Sequence, residues 1–290
     1  MGAVRSVSSN TNFALELFRT LSQANPSGNI FVSPLSISSA LAMVYLGARG
    51  DTAAQMAQVN HARPPSPGIH FETLNADINS PSASYILKIA NRLYGENTAN
   101  FLPTRKVQMM YQMKKLPYNY IPEHGLQILE LPYVDDELSM FILLPEESTD
   151  GSDPLLKVHN QKQQLDEWTN RENMDVHSEV LVHLPKFKLE EDYELNEPLA
   201  KLGMTDVFCT AKADLSGMNG EGGLFLSTVA HKAFVEVNEE GTEAAAATAG
   251  MVAFCMLREE HFTADHPFLF FIRHNKTKSI LFFGRLSSPQ

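Results

Sequence analysis

Ten consecutive residues near the C-terminal end, Gly241-Thr242-Glu243-Ala244-Ala245-Ala246-Ala247-Thr248-Ala249-Gly250, include no aromatic and no branched aliphatic side chain. Few structures suit such a run. Alanine is the best helix former, so propensity alone makes it a short helix. The other reading is a segment able to become a strand inside an existing sheet. The faces of such a sheet are already packed, so only small side chains fit. With a two-residue period, Thr242, Ala244, Ala246 and Thr248 share one face, and no charged residue obstructs it. Propensity favours the helix, and the small face keeps the strand reading open.

The surrounding chain mixes helical and strand periods. Phe13, Leu17 and Leu21 recur every four residues and predict an amphipathic helix stopping near Asn25-Pro26. Ser33-Pro34 supplies an N-cap followed by proline at the first helical position. The stretch Leu35 to Leu46 is apolar nearly all round, apart from Ser36, Ser38 and Ser39, which predicts a buried helix. Asp51-Thr52 caps a further short helix after Gly50. His61 to Gly68, with Pro64, Pro65 and Pro67, predicts a loop, and Tyr85 to Tyr94 a strand. Leu126 to Leu131 and Leu138 to Leu144 predict two strands joined by a turn at Pro132 to Glu137. Leu155 to Thr169 and Leu195 to Leu202 are helical in pattern. Val176 to Leu189, Leu224 to Val237 and Phe268 to Arg285 are strand-like. The fold class is therefore α+β. Without repeats or a clear linker, residues 1–290 are expected to form one domain.

Composition removes several function classes. A net charge of -11 provides no basic field for nucleic acid or heparin. Two cysteines, Cys209 and Cys255, with no C-x-x-C pair, fit a reducing compartment better than a disulfide scaffold. Met1 to Asn12 has no apolar h-region, and no stretch approaches the roughly 18 apolar residues of a membrane span. A cytoplasmic protein is expected, with release that bypasses a signal peptide left open. Asn275-Lys276-Thr277 matches a glycosylation triplet but reads as a chance match without an export signal. There is no G-x-S-x-G elbow and no H-E-x-x-H pair, so hydrolase chemistry, a metal and a cofactor are not expected. His177 and His183 lie six apart on a strand, which favours a solvent face over a metal site.

Three separated segments resemble the serpin family. Glu240-Gly241-Thr242-Glu243-Ala244-Ala245-Ala246-Ala247 resembles the reactive-loop hinge of its inhibitory members. Asn29 to Ser36 with Leu46-Gly47-Ala48-Arg49-Gly50 resembles the family's second helix. Asp265 to Ile272 with Phe283-Gly284-Arg285 resembles its C-terminal signature, a better account of Asp265-His266 than a catalytic triad. The resemblance is greatest to the intracellular, ovalbumin-like branch. It implies mixed sheets with surrounding helices, an exposed reactive-centre loop and a monomer whose partners are serine proteases. It also implies that the scissile bond, counted from the hinge, is Cys255-Met256. Cys255 is a small, modest hydrophobe suited to an elastase-like pocket. Phe254 would suit a chymotrypsin- or cathepsin G-like slot if the cut shifts by one. Ser33, Ser36 and His231 match the positions that hydrogen-bond beneath the family's main sheet. Read without the family, they are an N-cap serine, a buried serine and a core-edge histidine.

The resemblance breaks between Phe101-Leu102-Pro103 and Thr104-Arg105-Lys106-Val107. Residues on the two sides match family segments that lie far apart, so a large internal block is missing near residues 103–105. The block would hold two helices, an edge strand of the main sheet, the central strand beside the insertion gap, and the asparagine that would partner His231. The one tryptophan, Trp168, lies in the Leu155 to Thr169 stretch and not in such a strand. Two functions therefore compete. The intact hinge implies a suicide-substrate inhibitor, and the missing block implies a non-inhibitory relative or isoform that is cleaved as a substrate.

Overall fold

The computed structural model describes residues 2–60, 108–146, 162–238 and 259–288. The predicted loop at His61 to Gly68, the predicted strand at Tyr85 to Tyr94 and the break at 103–105 lie outside them. Among the described residues no helix is long and apolar enough to cross a membrane.

Helix α1 (Gly2–Ala24) buries Phe13, Leu17 and Leu21 on one stripe, as their spacing requires. It ends where Asn25 turns the chain, its Oδ1 accepting the Gly28 N–H at 2.9 Å. Strand β1 (Ile30–Val32) follows, wholly buried. Helix α2 (Pro34–Gly47) starts as expected, with Pro34 in its first turn and the Ser33 Oγ accepting the Ser36 N–H at 3.3 Å. Helix α3 (Gly50–Val59) follows, but not with the expected Asp51-Thr52 cap: Arg49 is its N-cap without a side-chain bond, Asp51 lies in the first turn, and the Thr52 hydroxyl accepts the Asp214 N–H.

The largest sheet has six antiparallel strands in the order β1-β11-β10-β5-β4-β3, with β3 Tyr118–Ile121, β4 Leu126–Pro132, β5 Leu138–Pro145, β10 Phe268–His274 and β11 Ser279–Leu286. Strands β5 and β10 are buried on both faces, which explains their near-continuous apolar sequence. The two-residue period sends Phe141, Phe271 and Phe283 to one core with α1, and Ile142, Phe270 and Phe268 to a second core on the other face. The Phe141 and Phe271 rings stack at 5.0 Å between centroids. Gly284 is required here, because an added Cβ would come within 2.9 Å of the Ile30 carbonyl oxygen and closer still to the Phe270 ring.

A second sheet has the order β2-β6-β9, with β2 Met109–Lys115, β6 Glu179–Pro185 and β9 Glu259–Thr263; β6 and β9 run parallel. A third pairs β7 (Phe187–Glu194) with β8 (Ala230–Val237). Short helices α4 (Lys162–Trp168), α5 (Asn196–Lys201) and α6 (Ser216–Asn219), with four single-turn 3-10 helices, complete the described elements.

Four further expectations change. The stretch Val176 to Leu189 is not one strand: Pro185 ends the β2–β6 ladder, and Phe187 opens a strand of another sheet. Leu224 to Val229 makes no ladder, so β8 begins only at Ala230. Phe268 to Arg285 divides into β10 and β11 at a turn ending in Lys278, whose φ is 55°. Helix α2 is not buried all round. Ile37 and Leu41 pack inward, but Met43 and Leu46 are 67% and 61% exposed, because no described element covers that face.

Candidate functional site

Residues 239–258 join two sheets. Strand β8 leads into the segment from the β7–β8 sheet, and β9 receives it in the β2-β6-β9 sheet. The hinge residues Gly241, Thr242, Glu243, Ala244, Ala245, Ala246, Ala247 and Thr248, and the bond residues Phe254, Cys255 and Met256, lie outside the described residues. What is described is the frame that holds both ends.

The start of β8 is tied to the start of α2. His231 is only 4% exposed, and its Nε2 accepts the Ser33 backbone N–H at 2.9 Å. The Ser33 hydroxyl donates to the Leu281 carbonyl of β11 at 2.9 Å while capping α2 through the Ser36 N–H. Opposite His231 in the ladder stands Tyr193, whose hydroxyl oxygen accepts the Phe31 N–H at 3.2 Å. Ser33, Ser36 and His231 are thus brought into one network, and that network also contains Tyr193 and the Leu281 carbonyl. The alternation Phe187, Leu189, Tyr193 on β7 carried a signal for Tyr193. Nothing in the sequence marked the carbonyl of Leu281.

Burial is the main reason that this sheet resists charge on its inner side. It pushes the His231 imidazole down to about 4, so the ring is neutral at pH 7 with its lone pair on Nε2. It also pushes the Glu191 carboxyl, which shares the inward face of β7, up to about 7, with Asp192 adding to the effect. The two shifts act on stability in opposite directions. His231 refuses a proton that the unfolded chain accepts, so its contribution is complete above pH 6.5 and is lost toward pH 4. Glu191 holds a proton that the unfolded chain releases, so its contribution is lost as pH rises from 4.5 toward 7. Glu191→Gln should therefore raise stability at pH 8 by roughly 1–2 kcal/mol, discounted for partial solvent access, and leave it unchanged near pH 4. Urea unfolding of parent and variant at the two pH values measures this.

The outward side of the same sheet is charged. Lys232 reaches Glu190 at 2.7 Å and Asp192 at 3.4 Å, and Lys188 lies over the Phe234 ring at 5.1 Å from its centroid.

Other candidate groups do not assemble into chemistry. His266 engages both ring nitrogens, with Asp265 Oδ1 at 2.8 Å and the Pro145 carbonyl at 2.5 Å, so neither is open to act as a general base. His177 is exposed, whereas His183 is half-buried, bonded to the Thr263 hydroxyl and set against the Tyr111 ring. Among the described residues no three potential ligands gather to hold a metal ion. The Asn275 amide nitrogen donates to the Asp136 carbonyl and the Ser139 hydroxyl, which engages the atom a glycan would need.

Comparisons with known proteins agree with this frame. A family model described as "Serpin (serine protease inhibitor)" matches residues 8–104 and 102–289, two stretches that meet at residues 102–104. Human leukocyte elastase inhibitor is 46% identical over 376 residues, covering 97% of this chain and 99% of that protein. The protein of the same name from Xenopus tropicalis is 42% identical over 374 residues, covering 96% and 98%. Both alignments are longer than this 290-residue chain, so they step across positions for which it has no counterpart. Among solved structures, maspin superposes with a TM-score of 0.80 at 27% identity over the full length of both chains. Uncleaved ovalbumin superposes with a TM-score of 0.81 at 26% identity, covering 98% of this chain and 99% of that one.

Proposed function

The chain belongs to the serpin family, and on that premise we propose that it inhibits elastase- and chymotrypsin-like serine proteases as a suicide substrate, through the loop 241–260. The observation that carries this reading is the run of small residues from Gly241 to Gly250, held between two strands of different sheets. Relatives named leukocyte elastase inhibitor, 42–46% identical, support the elastase direction. The ovalbumin-like affinity supports residence in the cytoplasm.

The chemistry belongs to the protease. Its serine Oγ attacks the Cys255 carbonyl carbon, the Cys255–Met256 amide bond breaks, and Met256 leaves as an amine carrying the proton relayed by the protease histidine. Cys255 remains esterified to the protease. Thr242, Ala244, Ala246 and Thr248 then enter the sheet beside β8, a strand addition that drags the acyl-enzyme with it and releases stored strain. Ser33, Ser36 and His231 act as the latch at the base of β8. Residues 1–290 act as a single serpin domain with an internal deletion near residues 103–105.

Incubation with a neutrophil-type elastase tests the reading. A complex stable in denaturing detergent is expected, with the cut at Cys255-Met256, or at Phe254-Cys255 for a chymotrypsin-like enzyme, read by terminal sequencing. A first cut after Arg258 would overturn the bond assignment. Clean cleavage without a complex would overturn inhibition in favour of a substrate role.

A further inference from the structure

Helix α6 meets the end of helix α2 by setting long side chains directly on glycines. A Cβ added at Gly47, the last residue of α2, would overlap Met218 Cγ and come within 3.0 Å of its Cε and 3.2 Å of its Sδ. The whole Met218 side chain therefore lies along the Gly47 backbone. A Cβ added at Gly217 would likewise come within 2.7 Å of Arg49 Nη1. The backbone that carries Met218 is fixed separately. Asp214 Oδ1 accepts the Ser216 N–H at 3.1 Å and the Ser216 hydroxyl at 2.7 Å. The Asp214 N–H donates to the Thr52 hydroxyl at 3.0 Å, and its carbonyl accepts the Arg49 N–H at 2.9 Å. Met218 is thus aimed at Gly47, and its thioether closes the seam between the two helices.

The seam is open to solvent on one side. Met218 is 49% exposed, and Met43, one turn before Gly47 on the same face of α2, is exposed as well. A thioether so placed combines accessibility with a packing role, and oxidation sets the two in conflict. Susceptibility of methionine follows exposure, and the sulfoxide is a polar, chiral group. An oxygen on Sδ would stand beside the Gly47 backbone, and shedding its water there without a hydrogen bond costs free energy. The favourable response is for the side chain to leave the seam. Met109 and Met113 are also exposed, but they stand on the outer face of β2, and the β2–β6 ladder uses backbone bonds that a sulfoxide there leaves in place. Met56, Met140, Met174 and Met204 are buried.

We propose that Met218 is an oxidation-sensitive latch between α6 and α2, with a peroxide as its reactant. The Sδ lone pair attacks one peroxide oxygen, the O–O bond breaks, the sulfoxide forms, and the rest of the hydrogen peroxide leaves as water. Sulfur gives up two electrons and the peroxide oxygens accept them. The oxidised side chain then leaves Gly47, and the contact between α6 and the end of α2 loosens. The inference rests on the packing of these two helices and does not depend on the protease reading.

Hydrogen peroxide treatment of the whole chain tests it, with peptide mass mapping to locate the sulfoxides and amide hydrogen exchange to follow the seam. Met218 should be oxidised together with Met43, Met109 and Met113, ahead of the buried methionines. Exchange in residues 46–49 and 216–220 should then accelerate about tenfold, the factor that corresponds to one poorly paired polar atom at a half-buried seam. Met218→Leu keeps an apolar side chain of similar volume and cannot form a sulfoxide, so the same treatment should leave its exchange unchanged. Met218→Gln, similar in length and polar, should loosen the seam without oxidant. Methionine sulfoxide reductase should reverse the effect in the oxidised parent. Should Met218→Leu fail to fold, Met218→Gln and the parent before and after reductase decide. The proposal is overturned if Met218 stays reduced while Met43, Met109 and Met113 are converted, or if exchange in the two segments is unchanged once Met218 carries oxygen. It is equally overturned if Met218→Leu loosens under peroxide as much as the parent.

Discussion

Thr242→Arg should abolish the covalent complex with elastase while leaving cleavage of the loop intact. Thr242 is the first residue of the small-side-chain face, and insertion beside β8 would place it between packed layers. A guanidinium there would lack a partner, and an uncompensated buried charge costs several kcal/mol. Trapping is a race between insertion and hydrolysis of the acyl-enzyme, so a penalty of that size on insertion sends nearly every turnover to cleaved product. In the proposed mechanism protease attack falls at Cys255, thirteen residues further along, and does not require Thr242 to be buried. The measurement is a denaturing gel that separates complex from cleaved chain, with Thr242→Ser as the tolerated control. If Thr242→Arg traps as well as the parent, the insertion model is wrong for this protein.

The second large effect lies far from the loop. Glu130 on β4 is fully buried, and the Arg171 guanidinium grips it with two bonds, Nε at 2.9 Å and Nη2 at 2.8 Å. Arg171 also bonds Asp136 at 2.5 and 2.6 Å, which holds that carboxyl below the usual carboxylate range. Asp135 and Asp136 sit at positive φ, 58° and 61°, in the turn that presents this carboxylate. Ser139 donates to Glu130 at 2.6 Å, so the network crosses from β4 to β5. Arg171→Ala would leave Glu130 buried and bonded to the Ser139 hydroxyl. Loss of one member of a fully buried pair costs about 3–5 kcal/mol, against roughly 0–1 kcal/mol for an exposed pair such as Lys201–Glu197; with Glu130 buried and the Arg171 side chain 40% exposed, the loss should fall between these, at about 2–3 kcal/mol. Urea unfolding should show this loss in Arg171→Ala. Much of it should return in Arg171→Leu combined with Glu130→Leu, which removes both charges. A loss below about 1 kcal/mol for Arg171→Ala would mean that Glu130 is not held as a buried ion.

The periodic parts of the fold were legible because a period states which face is apolar. Phe13, Leu17 and Leu21 defined one side of α1, and Ser33-Pro34 marked the start of α2 by a local mechanism. The strands at Leu126 and Leu138 appear within a residue or two of their predicted bounds. Periodicity failed where one run served two sheets, at Pro185, since β-propensity is the same on both sides of a corner. The candidate site was legible in its types more than in its contacts. Ser33 and His231 are 198 residues apart, and their bond joins a backbone N–H to a ring nitrogen, which leaves no pattern in composition.

By itself, then, the sequence determined the local chemistry: a capped helix, apolar strands, a loop of small residues able to line one face of a sheet, and family signatures in three places. Each depends only on neighbours a few residues away. Tertiary structure alone decided what lies against each surface. It left Met43 and Leu46 uncovered on a helix whose composition predicted full burial. It kept His231 neutral at pH 7 and raised the Glu191 carboxyl to about 7, chiefly by desolvation, which depends on what packs around a group. It also set Lys232 and Phe234, unremarkable as a sequence, on the outward face of β8, where Lys232 meets Glu190 and Asp192 and Phe234 lies under Lys188.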